Sequence, residues 1–351
     1  MKTWYINTLS TIFLIWMFPA TAMAEDRPYF PNSDGLTDQS WVEVQLTHLN
    51  RDSEVDLITN GVPSLQSASD ASDVYSLNFN RQINDSISAS ASLIDQSFSN
   101  STGSTADGLL LRIGLCYQKG PLNFQYDVSQ VSQNTPSDLQ FWDNRLSINW
   151  ENDADTVRFG GSVGTLLGHP DVGNVSSGDE LHLNLATEAD TYDLSFTTSV
   201  GHAVQLITSE TNGVRSTAVD DYSFTSLGGY YLRKFGMMSL GLDGSVYSYN
   251  SQTRPDTSTV GIVAQYELSK ALFDFRFEQQ TTKALQNGAS YAPRRTSNIS
   301  TIGVSVDLGS GVYGNAIYSH EIGSYSELNG LVTSTTSTKS NSLSLAITKI
   351  F

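Results

Sequence analysis

The sequence predicts an all-β chain, a transmembrane antiparallel up-and-down β-barrel of about 16 strands. Three observations predict it. Apolar and polar residues alternate with period two in segment after segment, which gives each segment one apolar face. Long and short connections also alternate along the chain, roughly 7 to 23 residues against roughly 2 to 5, as where the two rims of a membrane barrel differ. Finally, 39% of the residues are hydrophobic and 16% are charged. A soluble domain of this length needs a larger apolar core, whereas a membrane barrel needs one apolar face per strand. If one hairpin is misplaced the count becomes about 14 or 18.

The chain opens with basic Lys2, an apolar run Ile12 to Phe18, then Ala22-Met23-Ala24. This reads as a secretory signal peptide cleaved after Ala24. Residues 1–24 are therefore expected to be removed, 25–40 to form a short periplasmic lead, and 41–351 to form the barrel. No later segment reaches the ~18 apolar residues of a helical span. The whole sequence carries a net charge of −17, and losing Lys2 makes it one unit more negative. Such acidity excludes a nucleic-acid partner.

The first strand is expected over Trp41 to Asn50, with Val42, Val44 and Leu46 on one face. A polar loop Arg51 to Asp73 follows, then a strand carrying Tyr75, Leu77 and Phe79 up to the tight turn Asn84-Asp85. Ile87, Ala89, Ala91 and Leu93 alternate with serines in the third strand. Leu109 to Tyr117 and Leu122 to Val128 flank the turn Lys119-Gly120-Pro121. The rhythm continues through Trp142 to Trp150, Val157 to Val163, Leu181 to Leu185 and Tyr192 to Val200. Asp221 to Arg233 reads as a strand of undetermined register. Further strands fall at Met238 to Val246, Val260 to Leu268, Phe273 to Phe277, Ile302 to Leu308 and Val312 to Tyr318. Loops are expected at Ala203 to Asp220, Ala284 to Thr296 and His320 to Ser340.

The last stretch, Asn341 to Phe351, alternates again and ends on an aromatic residue. It resembles the closing strand of Gram-negative outer-membrane β-barrels. That resemblance implies residence in the cell outer membrane among its lipids. It also implies that Phe351 is the signal by which the barrel-assembly machinery recognises the C-terminal strand.

If the apolar residues face lipid, the residues between them face the interior. That parity points Arg112, Arg145, Arg158 and Arg276 inward, together with Asp243, Glu267, Asp274, Glu278 and Asp307. Glu43, Asp127 and Asp193 are further inward candidates. Most of the arginines fall on one arc and most of the acids on another. Opposed walls of opposite sign set up a transverse field across a wet interior, or else pack as a salt-bridged network. General porins are similar in principle, but oppose their arginines to acids on a long inward-folded third loop. Here the third loop, near Ser132 to Asp138, is too short for that.

Other chemistry is sparse. Cys116 is the sole cysteine, expected on the inner face beside Arg112 as filler, and no intrachain disulfide exists. His182 is expected inward between Leu181 and Leu183. Asn152-Asp153-Ala154-Asp155 lacks the glycine and distal glutamate of a calcium loop and reads as a solvated turn. No catalytic, cofactor-binding or metal residues are expected, and no cofactor. The leading functional class is therefore a non-enzymatic, porin-like passive channel for small hydrophilic solutes with a preference for cations. A barrel component of an envelope or exopolysaccharide secretion system, handling a glycan, is the alternative. An outer-membrane hydrolase comes third. The sequence leaves a homo-oligomer open.

Overall fold

The computed structural model describes residues 39–59, 62–101, 105–134, 139–154, 157–168, 176–211, 214–251, 254–287, 290–292, 294–329 and 332–351. The expected signal peptide and most of the expected periplasmic lead lie outside the described residues.

The strands are β1 (Trp41–Thr59), β2 (Val62–Asn84), β3 (Ile87–Asn100), β4 (Thr105–Lys119), β5 (Leu122–Asn134) and β6 (Leu139–Ala154). Then come β7 (Val157–Gly168), β8 (Ser176–Glu188), β9 (Tyr192–Thr211), β10 (Val214–Phe235), β11 (Met238–Asn250) and β12 (Thr257–Leu268). The chain ends with β13 (Ala271–Thr282), β14 (Leu285–Asn287), β15 (Ser290–Ala292), β16 (Arg295–Gly309), β17 (Val312–Asn329) and β18 (Val332–Ile350). All but β14 and β15 form one closed antiparallel barrel of sixteen strands, in the order β1-β18-β17-β16-β13-β12 and so on down to β2. Closure pairs Trp41 with Ile350 at one end of the seam and Thr59 with Val332 at the other. A closed ring leaves no unpaired strand edge in lipid, which is the condition for a sheet to span a bilayer.

The alternation is realised as an inside-out distribution of polarity. Leu111, Ile113, Leu115, Leu240, Leu242, Val260, Ile262 and Ile347 are exposed on the outer surface. Asp127, Asp193, Ser195, Ser297 and Thr348, which belong to the opposite parity, are buried on the inner one. This is the polarity of a transmembrane barrel, with lipid as the solvent of its apolar face. The outward pairs Tyr117–Phe124 and Tyr192–Tyr231, each with ring centroids 6.3 Å apart, lie beside short turns at one edge of the apolar belt. Aromatic rings with a polar tip suit that interface. At the belt's other edge the outward face turns polar. There His48 meets Asp73 at 2.6 Å, His202 meets Asp221 at 2.7 Å, and His320 meets Asn341 at 2.7 Å.

The short turns are tightly built. Gly309, Ser310 and Gly311 all have positive φ, at 87°, 57° and 72°. Two glycines make that path accessible, since a residue bearing a Cβ is strained in the left-handed region.

Several boundaries differ from the sequence reading. Arg51 to Asp73 is mostly strand rather than loop, because β1 and β2 pair on as far as Thr59 and Val62. Ala203 to Asp220 and His320 to Ser340 are likewise largely absorbed into the long hairpins β9–β10 and β17–β18. These extensions stand beyond the apolar belt, so one face need not be apolar and the period-two signal fades while backbone pairing continues. The Ala284 to Thr296 segment carries its own short hairpin, β14–β15. The undetermined register of β10 is resolved by Leu227, Tyr231 and Phe235 facing out and Leu232 facing in, 3% exposed.

Candidate functional site

The candidate site is the inner wall. Each inward charge sits where the period-two register puts it, and the neighbouring strand determines how it is held.

On one arc, Asp127 of β5 lies opposite Gly114 of β4 and Arg145 of β6. Arg112 Nη2 lies 2.9 Å from Asp127 Oδ2, and Gln125 Nε2 donates to the same oxygen at 2.9 Å. Asp127 is only 2% exposed. Gly114 makes that possible, since a Cβ there would stand 2.4 Å from Asp127 Oδ1. Arg145, in contrast, is exposed although its register points it inward. Arg158 pairs through its backbone with Asp153 and Ala186, and its side chain lies outside the described residues.

The other arc is built on β11, β12, β13 and β16. Arg276 Nη1 lies 3.2 Å from Asp243 Oδ2 and 3.6 Å from Glu278 Oε1, bridging two acids. Gly261 sits between those acids, and a Cβ there would meet Asp243 Oδ1 at 2.1 Å and Glu278 Cγ at 2.8 Å. Asp274 accepts a hydrogen bond from Gln265 Nε2 at 3.1 Å, and its other oxygen is buried without a hydrogen-bond partner among the described residues. The glycine niches let these side chains lie along the wall instead of across the lumen. A charge buried in this way is tolerated because a counter-charge or an amide meets it. In the sixteen-strand ring, β4 and β12 stand eight places apart, as do β5 and β13, so the two arcs face one another.

Two of the acids expected inside occupy a rim. Asp307 Oδ1 accepts from the Gly309 N–H at 2.7 Å and holds the turn. Glu267 is exposed beside the turn at Ser269-Lys270. Glu43 serves the seam, accepting from Asn78 Nδ2 at 3.2 Å and from Thr348 Oγ1 at 2.9 Å, and so ties β1 to both neighbours. Asp193 pairs with Lys234 at 2.8 Å.

Sequence reasoning missed inward groups on the extended hairpins. Arg295 Nη2 pairs with Glu321 at 2.8 Å, and Ser340 Oγ donates to the other Glu321 oxygen at 3.3 Å. Arg51 shares this face. Once these segments were read as loops, parity could not be carried onto them. Inward rings at Tyr222 and Phe224 were missed because the register of β10 was open, and inward Tyr249 because its strand was read only as far as Val246 although the parity extends to it.

The remaining candidates stay minor. Cys116 faces inward and donates to Asn123 Oδ1 at 3.1 Å. His182 faces inward with Nδ1 2.9 Å from Ser199 Oγ, and among the described residues no carboxylate bonds to it. The side chains of Asn152 to Asp155 lie outside the described residues. Among the described residues no group of three or more His, Cys, Asp or Glu could hold a metal ion. Phe351 is 75% exposed, and its N–H donates to Ser40 O at 2.9 Å.

No protein-family model matches the chain, and no curated protein does. Among solved structures, similar ones include a loop-deleted OmpT, an outer membrane protein of Vibrio cholerae, at 11% identity and TM-score 0.45, covering 88% of this chain and 99% of that one. A TodX monoaromatic hydrocarbon channel mutant matches at 13% identity and TM-score 0.48, covering 91% and 93%. A bacterial polysaccharide outer membrane secretin matches at 11% identity and TM-score 0.48, covering 87% and 98%. Likenesses this distant leave function to the residues themselves.

Proposed function

We propose that this protein is a passive outer-membrane channel for small hydrophilic solutes, with a preference for cations. The carrying observation is the pair of facing arcs, Arg112 and Arg145 against Asp243, Asp274 and Glu278, inside a barrel whose outer face carries its large exposed apolar side chains. A wet lumen suits an inner surface of this polarity, and sixteen strands are enough to enclose one. The exposure of inward-facing Arg145 supports room for solvent at its level. Acids exceed bases on the inner wall even when Arg51, Lys234 and Arg295 are set beside Glu321 and Asp70, the β2 residue opposite Arg51. An acidic, low-dielectric wall concentrates cations and repels anions.

Expression with the N-terminal segment intact, followed by envelope fractionation, tests the location. Recovery with the inner membrane contradicts it. Purified protein added to a planar lipid bilayer in KCl is expected to give stepwise increases in current. A folded, heat-modifiable barrel that inserts without conducting contradicts the channel and favours a packed lumen or a secretion partner.

A further inference from the structure

The inner wall carries aromatic residues that its polarity does not call for. Most inward residues are Ser, Thr, Asn, Gln, Gly or charged. Beyond the level of the apolar belt, however, Tyr222 and Phe224 of β10 and Tyr247 and Tyr249 of β11 share the inward face. Tyr222 and Tyr249 meet edge to face with centroids 6.2 Å apart, and Phe224 and Tyr249 stand at 6.5 Å. The Phe224 ring lies across Gly201 of β9, where a Cβ would stand 2.4 Å from its Cζ. Arg254, in the connection to β12, sets its guanidinium 4.4 Å from the centre of the Tyr222 ring. That connection is braced: Asp256 accepts from the Tyr249 N–H at 2.9 Å and from Ser248 Oγ at 3.1 Å, and pairs with Lys283 at 3.0 Å. A local departure from the polarity pattern, held in place by dedicated contacts, is where function is expected.

We propose that Tyr222, Phe224, Tyr249 and Arg254 form a saccharide-binding platform in the outer half of the lumen, deepening the channel reading on which it rests. A pyranose ring has an apolar C–H face, which packs on an aromatic ring, and hydroxyl edges, which take the phenol and guanidinium hydrogen bonds. Competing solutes fit less well. An anion would be drawn to Arg254 but repelled by the acidic wall. An apolar aromatic would suit the rings but gain nothing from the surrounding hydroxyls and charges. An uncharged sugar satisfies both.

The test uses the full-length protein in detergent, titrated with linear glucose and galactose hexasaccharides and followed by calorimetry and tyrosine fluorescence. Saturable binding to the wild type is expected for at least one of them. Tyr222→Ala and Tyr249→Ala should each weaken it about tenfold, the loss of one stacking contact. Tyr249→Phe, which keeps the ring, should retain binding within about threefold. Arg254→Gln lies outside the barrel wall, so it reports a similar loss even if a ring deletion fails to fold. No saturable binding, or unchanged affinity in heat-modifiable variants lacking the rings, overturns the platform. Sugar binding by a barrel that does not conduct overturns the channel reading and leaves the platform standing.

Discussion

The two charged arcs of the inner wall hold their charges by different means. On the β11 to β16 arc, Asp243, Arg276 and Glu278 are packed into the wall around Gly261, and each is less than one-fifth exposed at its side chain. On the β4 to β6 arc, Arg112 is anchored to a buried Asp127 yet 36% exposed at its side chain, while Arg145 is exposed. Asp243, Arg276 and Glu278 are therefore part of the structure of the wall, whereas Arg112 and Arg145 keep their side chains exposed. The same parity rule placed both sets. The small residues on the adjacent strands decide how far each side chain is drawn in.

The largest expected effect breaks the packed arc. Arg276→Ala leaves Asp243 and Glu278 facing one another without their shared cation. It should cost about 3 kcal/mol in urea unfolding of the refolded barrel, because a buried charge is left uncompensated. Arg145→Ala, removing an exposed charge, should change stability by about 0.5 kcal/mol or less. Equal costs would dissolve the distinction between the arcs.

Glycine substitutions sharpen it. Gly261→Ala forces a methyl against Asp243 and Glu278 and should cost about 2 kcal/mol. Gly164→Ala, near Arg145, meets its nearest neighbours at 3.6, 3.7 and 4.0 Å, which are ordinary contacts. It should stay within about 0.5 kcal/mol of the wild type. The same urea titration reads both.

The smallest effect concerns a rim charge that belongs to neither arc. The Tyr249 N–H, first, and then Lys283 and Ser248 hold the Asp256 carboxyl below its ordinary value of 3.8, against some desolvation. A depressed carboxyl stabilises above its ordinary value, and that contribution is lost as pH falls through the depressed one. The brace under Arg254 should therefore persist at neutral pH and loosen below about pH 4. Asp256→Asn should abolish this pH dependence in the tyrosine fluorescence, and a dependence unchanged in that variant contradicts the assignment.

What was legible in the sequence follows from these differences. Within the belt, lipid demands an apolar residue at every second position, so Leu240 and Leu242 announce both a strand and its orientation. That requirement gave the sixteen-strand barrel and the inward parity of Arg112, Arg276 and Asp274. Beyond the belt, water removes the requirement, and stretches such as Ser334 to Ser340 read as loop although they pair fully on both sides. Arg51, Arg295 and Glu321 were lost with them. The niche at Gly261 was also illegible, because it depends on which residues of β11 and β13 stand beside it, and cross-strand register is not written in local periodicity. Asp307 was assigned inward by parity alone, which does not reveal that a turn claims its carboxylate.

The most direct test of the account is a reversal potential across a planar bilayer with a KCl gradient. The wild type should favour potassium over chloride, and the preference should shrink toward 1 M salt, where the screening length is about 3 Å. Neutralising Asp274 and Glu278 together should lower the preference, and neutralising Arg145 should raise it. A wild-type channel that favours chloride would contradict the assignment of the inner wall and the function proposed from it.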